Sequence, residues 1–275
     1  MTVTLGHGRA LSAPTLVGVL DIPRSARLAA WGTAYLRGEV STATVVERVQ
    51  DKDEPHRVEP ADVLGLDAVD LAGLLTALRA AGGTGLRVVL PVPGDVLGLP
   101  GPAAFNAAAV EAGECVIVLG SPAWGAVPEV TGFGSALEPG WMVTWQVLPV
   151  TERPAATGTL AEAEQALREG MAEATSALTR LDVASWRPGT GERLHLLRRA
   201  ELHPGVMPAG TDQRSLRVLA GAHRLRAVLA LAGEDDGAGV TAFEVQQRAQ
   251  ALRGLDVVCR RAVAAAVNAA VERSL

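Results

Sequence analysis

The sequence predicts an α/β protein: a small, mostly parallel sheet made of one βαβ unit and an edge strand, followed by a C-terminal antiparallel three-helix bundle. Three observations predict it. Two short, largely apolar runs, LRVVLP (Leu86–Pro91) and CVIVL (Cys115–Leu119), flank a helix-forming stretch. Residues from Trp141 to Val150 alternate, with Val143, Trp145 and Val147 on one side and Thr144 and Gln146 on the other. From Thr159 onward, Leu160, Leu167, Met171, Ala174, Leu178 and Leu181 keep helical spacing. The natural division is an α/β region over 1–155 and a helical region over 156–275.

The elements follow in order. TLVGVLDI predicts a strand over Thr15–Ile22, and Ser25 is placed to cap a helix. Gly32, Gly38 and the run Ser41–Val46 split the helical stretch Ala26–Gln50 in two. The polar run QDKDEPHRVEP reads as a loop with a brief strand at His56–Val58. Asp67 precedes a helix whose apolar face is Val69, Leu71, Leu74, Leu75 and Leu78, closed by Gly82, Gly83 and Gly85.

Leu86–Pro91 then runs into VPGDVLGLPG, and Pro102 suits the first turn of the helix AAFNAAAVEAG. Cys115–Leu119 follows. Strand, loop, helix and strand in this order imply parallel pairing, and runs apolar on both faces suit strands covered by helices. Residues 121–140 read as a long loop, and Trp141–Val150 as an edge or antiparallel strand. Thr159 and Glu162 form a capping-box pair. Helices over 212–232 and 242–272 complete the bundle, separated by EDD and Gly237.

Composition sets the limits. The chain has 275 residues, 48% hydrophobic but only 3% aromatic, so its core is aliphatic and alanine-rich. At this length folding buries roughly 70–75% of the unfolded surface, enough for a core without disulfides or metals. Lys52 is the single lysine, a bias that matches codon usage more simply than an arginine-specific function. Cys115 and Cys259 lie in apolar surroundings, as small buried hydrophobes do, and the lack of a disulfide framework suits a cytoplasmic protein. No signal peptide is evident, and AVAAAVNAAV falls short of the 20 or so apolar residues of a membrane span.

Charge is unevenly spread. Residues 1–186 carry 12 basic and 21 acidic side chains; residues 187–275 carry 13 and 9. The helical region is therefore complementary to the rest. Docking within the chain, or pairing between subunits, explains this most simply. Net acidity and the absence of a recognisable nucleic-acid motif count against a nucleic-acid partner.

Familiar chemical motifs are missing. GTGLRV, GFGSAL and GTGERL each lack the third glycine of a dinucleotide fingerprint, and a lone lysine in QDKDE excludes a phosphate-binding GxxxxGK[ST] loop. There is no GxSxG, SxxK or HExxH. The histidines, His7, His56, His195, His203 and His223, lack zinc-site spacing, so neither metal nor cofactor is expected. His223 reads as a helix-surface residue and His203 as a turn former. The pairs Asp67/Asp70 and Glu111/Glu114 and the run Glu234–Asp236 read as helix-terminal or solvated carboxylates.

One location stands out on topology. If the two apolar strands are parallel, the loops after them, 92–101 and 121–140, share the carboxyl edge where α/β sheets bind ligands. Asp95, Asn106, Ser121, Trp124 and Glu129 would converge there, near free N–H groups of the helix opening at Pro102. The bland alternatives are a turn-forming Asp95, a loop-holding Asn106 and a Trp124 that covers the sheet end. No catalytic residue is identified. Two functional readings stay open. One is a noncatalytic interaction protein acting through its helical region, with a copy of itself or an acidic protein as partner. The other is a small-molecule-binding protein or enzyme using the strand-end loops.

Overall fold

In chain order the elements are β1 (Val19–Leu20), α1 (Arg24–Leu36), α2 (Thr42–Gln50), β2 (Arg57–Glu59), β3 (Val69–Asp70), α3 (Leu71–Ala80), β4 (Gly83–Val89), α4 (Ala103–Ala112), β5 (Cys115–Gly120), β6 (Trp124–Gly134), β7 (Pro139–Pro149), α5 (Leu160–Arg180), α6 (Thr190–Arg199), β8 (Glu201–Leu202), α7 (Gln213–Glu234) and α8 (Ala242–Glu272). This computed structural model describes residues 19–20, 22–59, 69–135, 138–151, 158–180, 190–234 and 242–272. Residues 15–18 of the expected first strand, His7, Asp67 and Asp235–Asp236 lie outside the described residues.

The fold is mixed α/β, and its main sheet corrects the expected strand direction. Six strands lie in the order β3-β2-β7-β6-β5-β4, and only β2 and β7 pair parallel. β4 and β5 are antiparallel, with Val89 opposite Cys115 and Gly83 opposite Gly120. The connection explains why. In a βαβ unit the helix alone carries the chain from one end of the sheet to the other. Here the loop 90–102 carries the chain away from Val89 and α4 brings it back, so β5 starts beside the point where β4 ended.

The stretch 121–140 is likewise not a loop. Most of it is β6, which forms a long hairpin with β7 from Trp124↔Pro149 to Gly134↔Pro139. β7 is an interior strand between β2 and β6 instead of an edge.

Both faces of β4 and β5 are covered, as their double-sided apolar runs predict. Leu86, Val88, Val116, Val118, Ala126, Val143, Trp145 and Val147 point to one core shared with α1, α3 and α8. Val89, Cys115, Ile117 and Val127 point to a smaller core under Phe105 and Ala109 of α4. Burial on both faces shows only that helices cover the strands; it carries no information on their direction.

The helix starts follow local chemistry. Ser41 accepts from Thr44 N at 3.1 Å and Asp70 accepts from Gly73 N at 2.8 Å. Thr159 and Glu162 cap α5 reciprocally, at 3.2 Å and 2.7 Å. Ser25 is no cap: it is the second residue of α1, which Pro23 precedes. Pro102 stands just before α4 instead of in its first turn.

α8 joins the two halves of the chain. It packs on α7 and α5 and also on α1 and β4. Gly170 of α5 lies against Leu255 and Val258 of α8, where a Cβ would come within 3.0 Å of Leu255. Asn268 of α8 and Thr33 of α1 reach the free edge of β4. Asn268 bonds both main-chain groups of Val88, and the Thr33 hydroxyl accepts from Leu86 N at 2.9 Å. Among the described residues no helix is long and apolar enough to cross a membrane.

Candidate functional site

The structure divides the five predicted ligand residues among separate places. Asp95 lies in the loop after β4, whereas Asn106 on α4 bonds the Gly101 turn, which Thr151 ties to the Val150–Ala123 end of the β6–β7 hairpin. Ser121 and Trp124 follow β5, whose last residue pairs with Gly83 at the opposite end of β4. Six residue steps of strand separate those ends, about 20 Å. Glu129 lies midway along β6, where its carboxylate accepts from Gln146 Nε2 at 2.9 Å. The cause of the separation is strand direction: in an antiparallel pair the loops that follow two strands leave from opposite ends.

The side chains of Asp95, Asn106 and Glu129 each have an internal partner. Asp95 takes the fork of Arg261 at 2.7 and 3.0 Å, and its backbone makes an isolated bridge with Val92. Asn106 Oδ1 accepts from Gly101 N at 2.9 Å, and Thr151 bonds the same turn through the carbonyls of Pro100 and Gly101. Ser121 N reaches Gly82 O at 3.4 Å. Trp124 packs on the larger core and lines a recess of about 10 Å³ with Leu28, Leu74 and Val147. Beside Asp95 lies a second recess of about 20 Å³, lined by Val89, Leu90, Leu97, Arg260, Arg261 and Ala264. Such a volume accommodates roughly one water molecule.

Other polar residues form buried networks that the sequence did not disclose. His56, only 1% exposed, accepts from Trp145 Nε1 at 3.1 Å through Nδ1. Its proton therefore sits on Nε2, which faces Asp53 Oδ2 at 3.2 Å. Asp53 also takes two bonds from Arg24, at 2.6 and 2.7 Å. Burial pushes the Asp53 carboxyl up, but the hydrogen bonds from His56 and Arg24 outweigh it and hold the carboxyl below its ordinary range. With both ring nitrogens engaged and the ring enclosed, this arrangement fixes the loop after α2 against β7.

A second network ties the helical region to the sheet. Arg260 bonds Asp256 at 2.9 Å and the carbonyl of Gly113, at the end of α4, at 3.0 Å. Asp256 also meets Arg226 at 3.3 Å. Next to Gly113, Glu114 accepts from Ser25 N at 2.7 Å and so supplies the cap that α1 lacks locally. Burial pushes the Glu114 carboxyl above its ordinary range, against the Ser25 amide and the charges of Arg24 and Arg260. Arg260–Gly113 and Arg261–Asp95 join α8 to the segment between β4 and β5.

His223 corrects its surface assignment. It is 7% exposed on α7, and burial first, then the charge of Arg226, lowers its pKa to about 3. Both cysteines are free and buried; burial raises the Cys115 thiol and pushes Cys259 up to about 12. Among the described residues no group of three or more His, Cys, Asp or Glu is placed to hold a metal ion. The one sequence signal for these networks was polarity out of place, above all Asn268 inside AVAAAVNAAV.

Comparison with known proteins identifies relatives. Residues 25–163 match the N-terminal domain model of the Rv1486c-like proteins, and residues 161–264 match the C-terminal domain model. The chain is 30% identical to "Uncharacterized protein Rv1486c" of Mycobacterium tuberculosis (strain ATCC 25618 / H37Rv), over 89% of this chain and 96% of that protein. A second relative, "Uncharacterized protein MT1533" of M. tuberculosis (strain CDC 1551 / Oshkosh), matches at the same identity and coverage. "Uncharacterized protein MAV321" of Mycobacterium avium is 38% identical over 34% of this chain and 37% of its own length. No solved structure matches the chain significantly.

Proposed function

The chain belongs to the Rv1486c-like protein family, and from that premise we propose that it is a noncatalytic interaction protein, acting through its helical region or through association with copies of itself. The observation that carries the reading is which large apolar side chains are exposed. Met171 on α5 is 52% exposed and Leu196 on α6 is 38% exposed, while Phe133 and Met142 stand out on the β6–β7 hairpin. Meanwhile the side chains of Asp95, Asn106 and Glu129, expected to bind a ligand, are engaged within the chain.

In this reading α5, α7 and α8 act as an antiparallel three-helix unit spanning the helical region 156–275. The arginines exposed on it, such as Arg217 and Arg253, suit an acidic partner. A cytoplasmic setting fits, because Cys115 and Cys259 are free. Light scattering after size exclusion, at two salt concentrations, tests the proposal. Association that Met171→Ser with Leu196→Ser weakens supports action through the helices. A strict monomer at all concentrations, retaining no partner in a pull-down, overturns it.

One observation favours a second reading, a small-molecule site at the β4 end. The Asp95–Arg261 pair borders the 20 Å³ recess, so its opening would enlarge a site with a carboxylate, guanidinium groups and apolar walls. Thermal shift against metabolites, repeated on Asp95→Ala and Asn106→Ala, tests it. The reading fails if no compound stabilises the wild-type chain.

A further inference from the structure

The two lateral edges of the sheet's β4–β5–β6 portion are treated differently. On β4 the outward main-chain groups of Leu86 and Val88 are met by Thr33 and Asn268. On β6 the neighbour ends early: β5 pairs with β6 at Val116↔Ala126 and Ile117↔Gly125, while β6 continues to Gly134. Beyond that register no described strand lies on the β5 side of β6.

Which groups face outward follows from alternation. Trp141 O accepts from Glu54 N, on the β2 side of β7. Odd residues of β7 therefore face β2 and even ones face β6. The unbroken pairing Met142↔Thr131, Thr144↔Glu129 and Gln146↔Val127 then turns Thr131, Glu129 and Val127 inward to β7. The main-chain groups of Pro128, Val130 and Gly132 point away from β7; Pro128 is buried, Val130 half-buried and Gly132 exposed, so the accessible stretch runs from Val130 onward. Pro128 fits this position, because a proline there costs the β6–β7 ladder no donor. Gly134, at φ +85°, ends the extended backbone.

We propose that this open edge of β6 pairs antiparallel with the same segment of a second copy of the chain, about a two-fold axis at Thr131. The inference rests on the self-association form of the proposed function and names its surface. An unpaired strand edge is a template on which another strand can pair. Three features favour a copy of itself. First, with the axis at Thr131, Val130 faces Gly132 of the other copy, so the N–H and C=O groups of both residues are all satisfied. Second, Val130–Ser135 (VTGFGS) carries no charge, so two copies meet without like-charge repulsion. Third, the two Thr131 side chains, exposed on the outer face, meet across the axis as a non-hydrogen-bonded pair. The exposed Phe133 falls opposite Glu129 of the other copy and gains cover.

Thr131→Cys tests this geometry, since Cα atoms of a non-hydrogen-bonded pair lie about 4.5 Å apart, within reach of a disulfide. In a glutathione redox buffer this variant is expected to form a covalent dimer on non-reducing gels. Met142→Cys, one strand further from the axis, is the control and is expected to stay monomeric. The native thiols are buried and do not interfere. Thr131→Lys sets two like charges across the axis and is expected to weaken self-association at least tenfold, with the thermal midpoint unchanged at dilutions where both proteins are monomeric. A wild-type dimer that Thr131→Lys leaves intact, with the Thr131→Cys variant no more cross-linked than the Met142→Cys control, overturns the edge inference and leaves association through the helices standing. A wild-type monomer throughout the concentration range overturns self-association and this inference together.

Discussion

The side-chain amide of Asn268 stands in for a neighbouring strand at Val88. Its Oδ1 accepts from Val88 N at 2.9 Å and its Nδ2 donates to Val88 O at 3.0 Å. Both residues are buried, at 5% and 0% exposure, and they lie 180 positions apart in sequence. Buried main-chain groups need partners, and β4 is the edge of the sheet, so α8 supplies them.

Asn268→Ala removes two bonds and leaves a buried donor and acceptor unmet. A loss of about 2–4 kcal/mol is expected in denaturant unfolding. Asn268→Asp keeps the acceptor but sets a carboxylate against Val88 O, and is expected to be no better than alanine. A loss under about 0.5 kcal/mol for Asn268→Ala would show that water or main-chain movement closes the edge instead.

His223 makes the fold acid-sensitive. Its Nε2 has no hydrogen-bond partner among the described residues, and its pKa falls from 6.5 to about 3. The unfolded chain binds this proton below about pH 6.5 and the folded chain does not. The stability from the neutral ring is therefore full above pH 6.5 and is lost as pH falls toward 3. His223→Leu is expected to reduce the stability difference between pH 7 and pH 4 by about 3 kcal/mol. Unfolding curves at both values decide it, and identical slopes for the two proteins would contradict it.

Glu114 has the opposite sign. Its folded carboxyl holds a proton to higher pH than the unfolded chain does. Stability is then lost as pH rises through the interval above the ordinary carboxyl value, about 4.3. Glu114→Gln keeps an acceptor for Ser25 N and removes the titration. Its stability relative to wild type is expected to be greater at pH 7 than at pH 4. A constant difference over that range would rule out the burial effect.

The two arginines that dock α8 differ in worth. Arg261 meets Asp95 with its side chain 50% exposed, so Arg261→Ala is expected to cost under about 1 kcal/mol. Arg260 is 8% exposed and serves both Asp256 and Gly113 O. Arg260→Ala is expected to cost about 3 kcal/mol, because it strips a partner from a half-buried carboxylate. Equal costs for the two variants would show that docking rests on general charge attraction.

Most elements were legible in the sequence, but the candidate site was not. The helix break before Ser41, the capping box at Thr159 and the strands around Val88 and Ile117 are local features, set by a few residues each. The site failed at one step, where two runs buried on both faces were read as parallel. That error moved Ser121 and Trp124 to the end of the sheet that holds Asp95. Glu129 was assigned to a loop because Gly132, Gly134 and Gly140 look like loop residues. In the hairpin, the Trp141 ring lies over Gly132 and the Phe133 ring over Gly140, filling the space a side chain would take.

The sequence by itself determined most of the helices, the strands around Val88, Ile117 and Trp145, and that helices cover both faces of the strands around Val88 and Ile117. Those properties depend on short-range periodicity and composition. Only the tertiary structure decided that the sheet is mainly antiparallel, that β4 is the edge closed by Asn268, and that β6 keeps an open one. Strand direction depends on the net path of a connection, here an excursion that returns to its start. Edge closure depends on bonds between residues far apart in the chain, which leave no periodic trace.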